Sequence, residues 1–138
     1  MNNITERIKE LLSRHIIVAD AAIGTTLVGG ERKLCPDTLN ITEEERVVAM
    51  YEASIKAGAR IITTNTFLAD PLMLGECGVS YSTEEIVAAA LAAARKAVAK
   101  SEKEVFIAGS IGPSTRNISL AIDLTEDELR VSYRTLIE

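Results

Sequence analysis

Three short apolar runs, each ending in polar residues, recur along the chain at an even spacing. They cover residues 16–20, 61–65 and 106–110, so that consecutive runs start 45 residues apart. β-Branched and other apolar residues dominate each run, a pattern typical of a strand that is buried on both faces of a sheet. We therefore predict three strands, each followed by a loop, over residues 21–26, 66–71 and 111–115. In parallel α/β folds, the loops at the carboxyl ends of strands hold the ligand-binding residues.

The stretches that follow the runs have a helical pattern. Each begins with a hydroxyl residue and, three positions later, Glu, the signature of a capping box. The pairs are Thr42 with Glu45, Ser82 with Glu85, and Thr125 with Glu128. The predicted core-facing stripes are Val47, Val48, Tyr51 and Ile55, then Val87, Leu91, Ala94 and Val98, then Leu129, Tyr133, Leu136 and Ile137. Gly58 is predicted to end the first of these helices in a left-handed conformation. With a leading helix at residues 4–12, the order is a helix and three β/α units, which implies a parallel sheet.

Chain length bears on the choice between two architectures. A complete (β/α)8 barrel takes ~250 residues, whereas this chain has 138. The open edges of a three-stranded parallel sheet, and a last helix without a stop signal before Glu138, favour a truncated barrel. The alternative is a complete three-layer sheet of flavodoxin type, for which the strand count is low. We predict one α/β domain over residues 1–138 that forms roughly the first three units of a TIM (β/α)8 barrel.

Composition and charge argue against several classes of protein. A net charge of -5 and an aromatic content of 4% leave little for binding nucleic acid. The amino terminus lacks the apolar core of a signal peptide, and no uncharged apolar run reaches membrane-spanning length. The two cysteines, Cys35 and Cys77, are too few for a disulfide framework and too far apart for a local metal site. We predict a cytoplasmic protein with neither nucleic acid nor membrane as a partner.

Five motifs in order resemble the amino-terminal part of the homocysteine S-methyltransferase domain. They are D-A-A-I-G-T from Asp20, L-N from Leu39, A-G-A from Ala57, T-N-T-F from Thr64 and A-G-S-I-G-P from Ala108. The resemblance covers about residues 12–138. It is closest to the cobalamin-dependent methionine synthases, because residues 35–40 resemble the loop before the first barrel helix of those enzymes.

The resemblance implies a zinc-activated alkylation of a thiol. In the family, three cysteine thiolates hold Zn²⁺, which stabilises the homocysteine thiolate as a nucleophile. The thiolate then attacks a methyl group on methylcobalamin or another donor. Methylcobalamin is the donor that the resemblance favours, with methyltetrahydrofolate as its methyl source in the complete enzyme. The zinc cysteines of the family lie in later barrel strands, and neither Cys35 nor Cys77 matches them. We therefore assign no catalytic residue and no metal ligand, and we predict that this chain alone is inactive and binds no cofactor.

The resemblance does transfer a homocysteine-binding end. Asp20 matches the family's Asp and would pair with the substrate ammonium, although an Asp that caps a turn is the alternative. Gly24 and Thr25 would offer backbone amides to the substrate carboxylate, or form a simple turn. Thr66 is the better candidate for a substrate contact, whereas Asn65 is expected to tie neighbouring loops together because its amide both donates and accepts.

Three neighbouring positions carry further expectations. Ala21 stands where the family has Gly, so substrate binding is weakened if the backbone there requires positive φ. Phe67 is expected to pack rather than to line the pocket. Ser110, with the turn that follows it, either positions a loop beside the site or forms only a tight bend.

The function predicted from these observations is the amino-terminal portion of a homocysteine S-methyltransferase in methionine synthesis. One alternative is a non-catalytic fragment or partner module that completes a split barrel. Another is an unrelated small α/β binding domain such as a phospho-receiver with Asp20 as acceptor. A receiver needs an acidic pair at one strand end and a Lys at a later one, and Asp20 lacks such acidic neighbours.

Overall fold

A computed structural model describes residues 3–29, 35–114 and 124–137. Its strands are β1 (Ile61–Thr63) and β2 (Phe106–Ala108). Its helices are α1 (Ile4–Arg14), α2 (Ile23–Val28), a 3₁₀ helix (Pro36–Thr38), α3 (Leu39–Thr42), α4 (Glu44–Lys56), α5 (Pro71–Glu76), α6 (Thr83–Ala99) and α7 (Glu126–Ile137). Thr115 of the predicted third loop and Glu138 of the predicted last helix lie outside the described residues. In the described part of the chain, no helix has the length and apolar character needed to cross a membrane.

The three apolar runs lie side by side in chain order and are parallel, as predicted. β1 pairs with β2 in parallel, with Ile62 opposite Ile107. On its other side, β1 is bridged by Ala19 of the first run, which pairs in parallel with Ile61. The N–H of Asp20 donates to the carbonyl of Ile61 at 2.9 Å. The carboxyl ends of all three runs therefore meet at one edge of the sheet.

The first run differs from its prediction as a strand buried on both faces. Only Ala19 makes a strand-like bridge, and Ile16 and Val18 are 96% and 55% exposed. In the described residues this run pairs with β1 alone, so it lacks the second neighbour that would bury it. Ile62, which lies between two neighbours, is fully buried. β1 and β2 are also shorter than predicted. One further backbone bond, from the N–H of Thr64 to the carbonyl of Ala108 at 2.9 Å, follows them, and the next N–H on the β2 side that bonds to this loop, that of Ser110, donates to the Thr64 side chain instead.

The helices between the strands form the core. On α4, Val47, Val48 and Tyr51 are buried as predicted, and Gly58 after it has φ 114°, a conformation that favours glycine. The buried face of α6 comprises Thr83, Ile86, Ala90, Ala93, Ala94 and Ala97. Of the predicted stripe, Ala94 is fully buried, Val87 and Val98 are partly buried and pack against the core, and Leu91 is partly buried. The reason is that the small alanines, rather than the bulkier Val and Leu, allow close packing in the core shared with α4. On α7, Leu129, Tyr133 and Leu136 of the predicted stripe are partly buried, and Leu136 packs against the core. The buried residue is Ser132, and Ile137 is exposed, which differs from the prediction.

Two of the three predicted capping boxes are confirmed. Ser82 and Glu85 exchange reciprocal hydrogen bonds, and so do Thr125 and Glu128. The prediction for Thr42 is wrong. Thr42 ends α3, where its hydroxyl donates to the carbonyl of Thr38 at 3.2 Å, and α4 begins after Glu43 without a side-chain cap.

Two predicted loops are partly helical, since α2 and α5 begin within them. Asp70 caps α5, because its Oδ1 accepts from the N–H groups of Leu72 at 3.1 Å and Met73 at 3.2 Å. The same oxygen accepts from the Ser132 hydroxyl at 2.8 Å. Asp70 thus joins α5 to α7 beneath the loop that follows β1.

Candidate functional site

A cavity of about 370 Å³ opens at the carboxyl ends of the strands. It is lined by Ala21, Ala22, Ile23, Gly24, Thr25, Pro36, Asp37, Thr63, Thr64, Asn65, Phe67, Leu68 and Ser110. Gly24, Thr25 and Asn65 of the predicted site residues belong to this lining. Asp20 and Thr66 do not, although each bonds to a residue that does.

Asp20 links the first run to β1. Its Oδ2 accepts from the backbone N–H of Thr63 at 2.9 Å, and its Oδ1 accepts from the Thr63 hydroxyl at 3.1 Å. These bonds hold the carboxylate at the shared end of the two runs, next to a residue of the cavity wall. Its pairing with a substrate ammonium stays a prediction.

Gly24 and Thr25 lie in the first turn of α2, where backbone amides have no partner within the helix. Gly24 lies next to the ring of Pro36. A Cβ at position 24 would be 3.6 Å from Pro36 Cγ, an ordinary van der Waals contact. Ala21 does not require positive φ, since among the described residues only Gly29, Gly58 and Gly78 have it. The Ala at this position therefore brings no backbone strain to the site.

Asn65 links neighbouring parts of the chain through its amide, as expected, but its partners lie in the 3₁₀ helix and α3 and not in another strand-end loop. Its Nδ2 donates to the carbonyl of Pro36 at 2.7 Å and to Asn40 Oδ1 at 3.1 Å. In return, Asn40 Nδ2 donates to the carbonyl of Asn65 at 2.7 Å. Both asparagines are buried. Asn40 thus contributes to the site. In the sequence it belongs to the L-N motif, but no role was predicted for it.

Thr66 belongs to a closed circuit of hydrogen bonds between the second and third loops. The Ser110 N–H donates to Thr64 Oγ at 3.0 Å, the Thr64 and Thr66 hydroxyls lie 2.7 Å apart, and Thr66 Oγ donates to the Ser110 carbonyl at 2.8 Å. Because Thr66 is buried, its hydroxyl holds the wall from behind. A direct contact with substrate stays a prediction.

Phe67 lines the cavity and is 51% exposed, so the expectation that it packs rather than lines the pocket is wrong. One side of its ring and its carbonyl oxygen lie against Gly112, so closely that a Cβ at position 112 would overlap that oxygen. The Tyr133 hydroxyl donates to the carbonyl of Gly112 at 3.0 Å. The third loop and α7 therefore support the wall on which Phe67 lies.

Asp37 is a residue of the cavity wall that sequence reasoning missed. It is 1% exposed, and its Oδ1 accepts from the backbone N–H of Leu68 at 2.9 Å. Burial raises the pKa of Asp37 from 3.8 to about 6, and the Leu68 bond acts in the opposite direction. Its position directly after Pro36, in the loop that carries the resemblance, is the signal that could have singled it out.

Both cysteines are free thiols. Burial is the main reason that the pKa of Cys35 is raised to about 12, so this thiol stays protonated at neutral pH. Cys77 is exposed. Across the ranges that the structure describes, no group of three or more His, Cys, Asp or Glu side chains could hold a metal ion.

Comparison with known proteins assigns the family. The family model described as Homocysteine S-methyltransferase matches residues 17–138, which is most of the chain. The chain therefore belongs to the homocysteine S-methyltransferase family.

The similarity to individual relatives covers different fractions of this chain. Methionine synthase of Mycobacterium leprae (strain TN) is 25% identical over an alignment of 118 residues, and the match covers 78% of this chain and 10% of that protein. The phenylalanine–tRNA ligase beta subunit of Dehalococcoides mccartyi (strain CBDB1) is 57% identical, but over only 44 residues, 30% of this chain and 5% of that one.

A solved structure shows the same fold. The crystal structure of the homocysteine methyltransferase MmuM from Escherichia coli, in its metallated form, superposes with a TM-score of 0.73 at 19% identity. The match covers 94% of this chain and 51% of that one. The chain thus spans about half the length of the solved enzyme and a tenth of the methionine synthase.

Proposed function

We propose that this chain supplies the homocysteine-binding end of a homocysteine S-methyltransferase of the methionine synthase type. The observation that supports this most is the cavity at the carboxyl ends of the parallel strands, lined by Gly24, Thr25 and Asn65 inside the region that the family model matches. In parallel α/β folds this end of the sheet is where ligands bind.

The amino-acid end of homocysteine fits the chemistry of these residues. The first-turn amides of Gly24 and Thr25 would donate to its carboxylate. A carboxylate has about four acceptor positions. Thr63 donates two hydrogen bonds to the Asp20 carboxylate, one from its N–H and one from its hydroxyl. Asp20 therefore retains capacity to accept from an ammonium group, while Asn65 and Thr66 hold the surrounding loops.

Zinc does not fit the residues described here. Among them no set of three potential ligands converges, so no step through a metal is derived for this chain. For the complete enzyme we propose zinc and methylcobalamin, the latter methylated by methyltetrahydrofolate, as the resemblance implies. We also propose a cytoplasmic location, and no methyl transfer by this chain without the remaining barrel units.

Titration with L-homocysteine, followed by NMR, tests the proposal. We expect shifts of the Gly24 and Thr25 amides, and within the complete barrel we expect Asp20→Asn to weaken binding by ~1.5–3 kcal/mol, the contribution of a hydrogen bond to a charged group. The matched control ligand is 4-mercaptobutanoate, which is homocysteine without its amino group and should bind equally to both forms. Absence of shifts at the cavity would contradict the proposed function, and equal homocysteine affinity in Asp20→Asn would remove Asp20 from the site.

A further inference from the structure

The Phe67–Leu68 turn forms one wall of the cavity and is held by a residue far away in the sequence. Asp37, in the 3₁₀ helix, accepts from the Leu68 N–H at 2.9 Å across 31 positions. Both Asp37 and Leu68 line the cavity, beside Phe67. The Asp37 carboxylate therefore connects the 3₁₀ helix to the loop after β1, on the inner side of the cavity wall.

Two titratable groups face Asp37 from the described elements packed around it. The Cys35 thiol donates to Oδ2 at 3.9 Å, and the buried Tyr51 hydroxyl of α4 is close enough for the charge on Asp37 to raise its pKa. The Tyr51 pKa is raised mainly by burial, with smaller effects of Asp20 and Asp37. Since the pKa values of Cys35 and Tyr51 both lie far above neutrality, Asp37 is the group of this cluster that changes charge near pH 6.

We propose that Asp37 is a positioning residue: its carboxylate fixes the Phe67–Leu68 turn for ligand binding, and binding weakens when that carboxylate takes up a proton. A hydrogen bond to an ionised acceptor is roughly twice as strong as one to a neutral acceptor. Protonation also adds an O–H donor, whose described neighbour at Oδ2 is the Cys35 sulfur, a weak acceptor. The choice of homocysteine as ligand rests on the proposed function, whereas the bond to Leu68 does not.

The turn can be tested without any ligand. In NMR spectra of the full chain, we expect the Leu68 amide proton to shift with pH, with a midpoint at about 6. In Asp37→Asn this titration should disappear. The matched control is Asp70→Asn, which changes another buried Asp that accepts backbone amides but does not line the cavity, and it should leave the Leu68 titration intact. A Leu68 amide that does not titrate in the native chain would overturn the proposal.

The ligand-binding part is tested by homocysteine affinity below and above this midpoint. We expect affinity to fall ~5-fold on acidification, the difference between a charged and a neutral hydrogen bond. Asp37→Asn should bind ~5-fold more weakly at neutral pH and lose the pH dependence, because it resembles the protonated form at every pH. Native affinity and pH profile in Asp37→Asn would overturn the inference and leave the proposed function standing. The opposite outcome is also informative. If the Leu68 amide titrates but homocysteine does not bind, the proposed function is refuted, whereas the proposal that Asp37 fixes the Phe67–Leu68 turn is supported.

Discussion

The buried charge of Asp37 lowers the stability of the folded chain at neutral pH. Burial is the largest cause of its raised pKa, about 6 against an ordinary 3.8. The folded state therefore binds a proton more tightly than the unfolded state between these two values. The stabilising contribution is complete below pH 3.8, and it is lost as the pH rises through about 6.

Because the charged form of Asp37 lowers stability, we can predict how Asp37→Asn behaves. The variant keeps an acceptor for the Leu68 N–H but never carries the charge. We expect the free energy of unfolding of the native chain, relative to the variant, to fall by at most on the order of 3 kcal/mol between pH 4 and pH 7. Urea unfolding of both proteins across this range measures it. A constant difference between the two proteins would show that Asp37 does not titrate as a buried group.

Asn65 and Asp37 show how far the role of a residue in the site can be predicted from its type and its sequence neighbours. An amide next to a strand end suggested a link between loops, because it donates and accepts at once, and Asn65 makes a link through its amide, to the 3₁₀ helix and α3. For Asp37 no local pattern was available, since its role depends on Leu68, 31 positions away. A contact between distant loops follows from the packing of the whole sheet edge.

At the scale of elements, Thr42 and Ser82 begin similar sequence patterns that have different structures. Ser82 accepts from the Glu85 N–H at 3.2 Å, whereas Thr42 lies at the end of α3 and does not cap α4. We expect Ser82→Ala to lower the free energy of unfolding by ~1 kcal/mol. Thr42→Ala is the control and should change it by less, since an exposed Thr that bonds back within its own helix contributes little. Equal losses in urea unfolding would mean that Thr42 also caps a helix.

The contact of Gly112 with Phe67 leads to a second prediction about an element. A Cβ at position 112 would overlap the Phe67 carbonyl oxygen, which is backbone and cannot rotate away. We expect Gly112→Ala to destabilise the chain by ~1–3 kcal/mol, the usual effect of overpacking, and to shift the NMR signals of the cavity wall. Gly109→Ala is the control, because nothing lies within 4 Å of its Cβ position. If the two variants behave alike, the third loop does not support Phe67.

Element order and strand direction were predictable from sequence, whereas element length and helix orientation were not. The even spacing of the apolar runs and the helical crossovers fix the parallel order of β1 and β2. The stripe predicted on α6 lies at the margin of the buried face, because alanines carry little hydrophobic signal although Ala90 and Ala93 are as fully buried as Ile86 and Ala94. The short helices α2 and α5 were missed because each has six residues, too few for a periodic pattern to emerge.

At the scale of the whole molecule, the sheet leaves two edges open within the described residues. The first run and β2 each pair only with β1. Ile16 and Val18 on the first run are exposed, as is Ile111 after β2. In a closed barrel such edges are joined to further strands. The superposition on half of a homocysteine methyltransferase is consistent with our proposal that further β/α units complete this fold.

The open edge of the first run gives the last prediction. Unpaired backbone groups beside exposed apolar side chains are a template for pairing with another chain. We therefore expect the isolated chain to self-associate, and a charge at the edge to reduce this association. Ile16→Lys and Val18→Lys test the edge, since both positions are more than half exposed and tolerate Lys without a core cavity. Val131→Lys on α7, 62% exposed, is the matched control away from the sheet.

Light scattering and sedimentation of the four proteins decide this prediction. The two edge variants should shift towards monomer while keeping the far-ultraviolet circular dichroism of the native chain, and the α7 variant should associate like the native chain. An equal effect of Val131→Lys would place the association surface on α7 instead of the sheet edge. The native chain could instead be a monodisperse monomer that unfolds cooperatively in urea with an m-value appropriate to all 138 residues. That result would contradict the open-edge interpretation, because the sheet edge would then be stable in water without a partner.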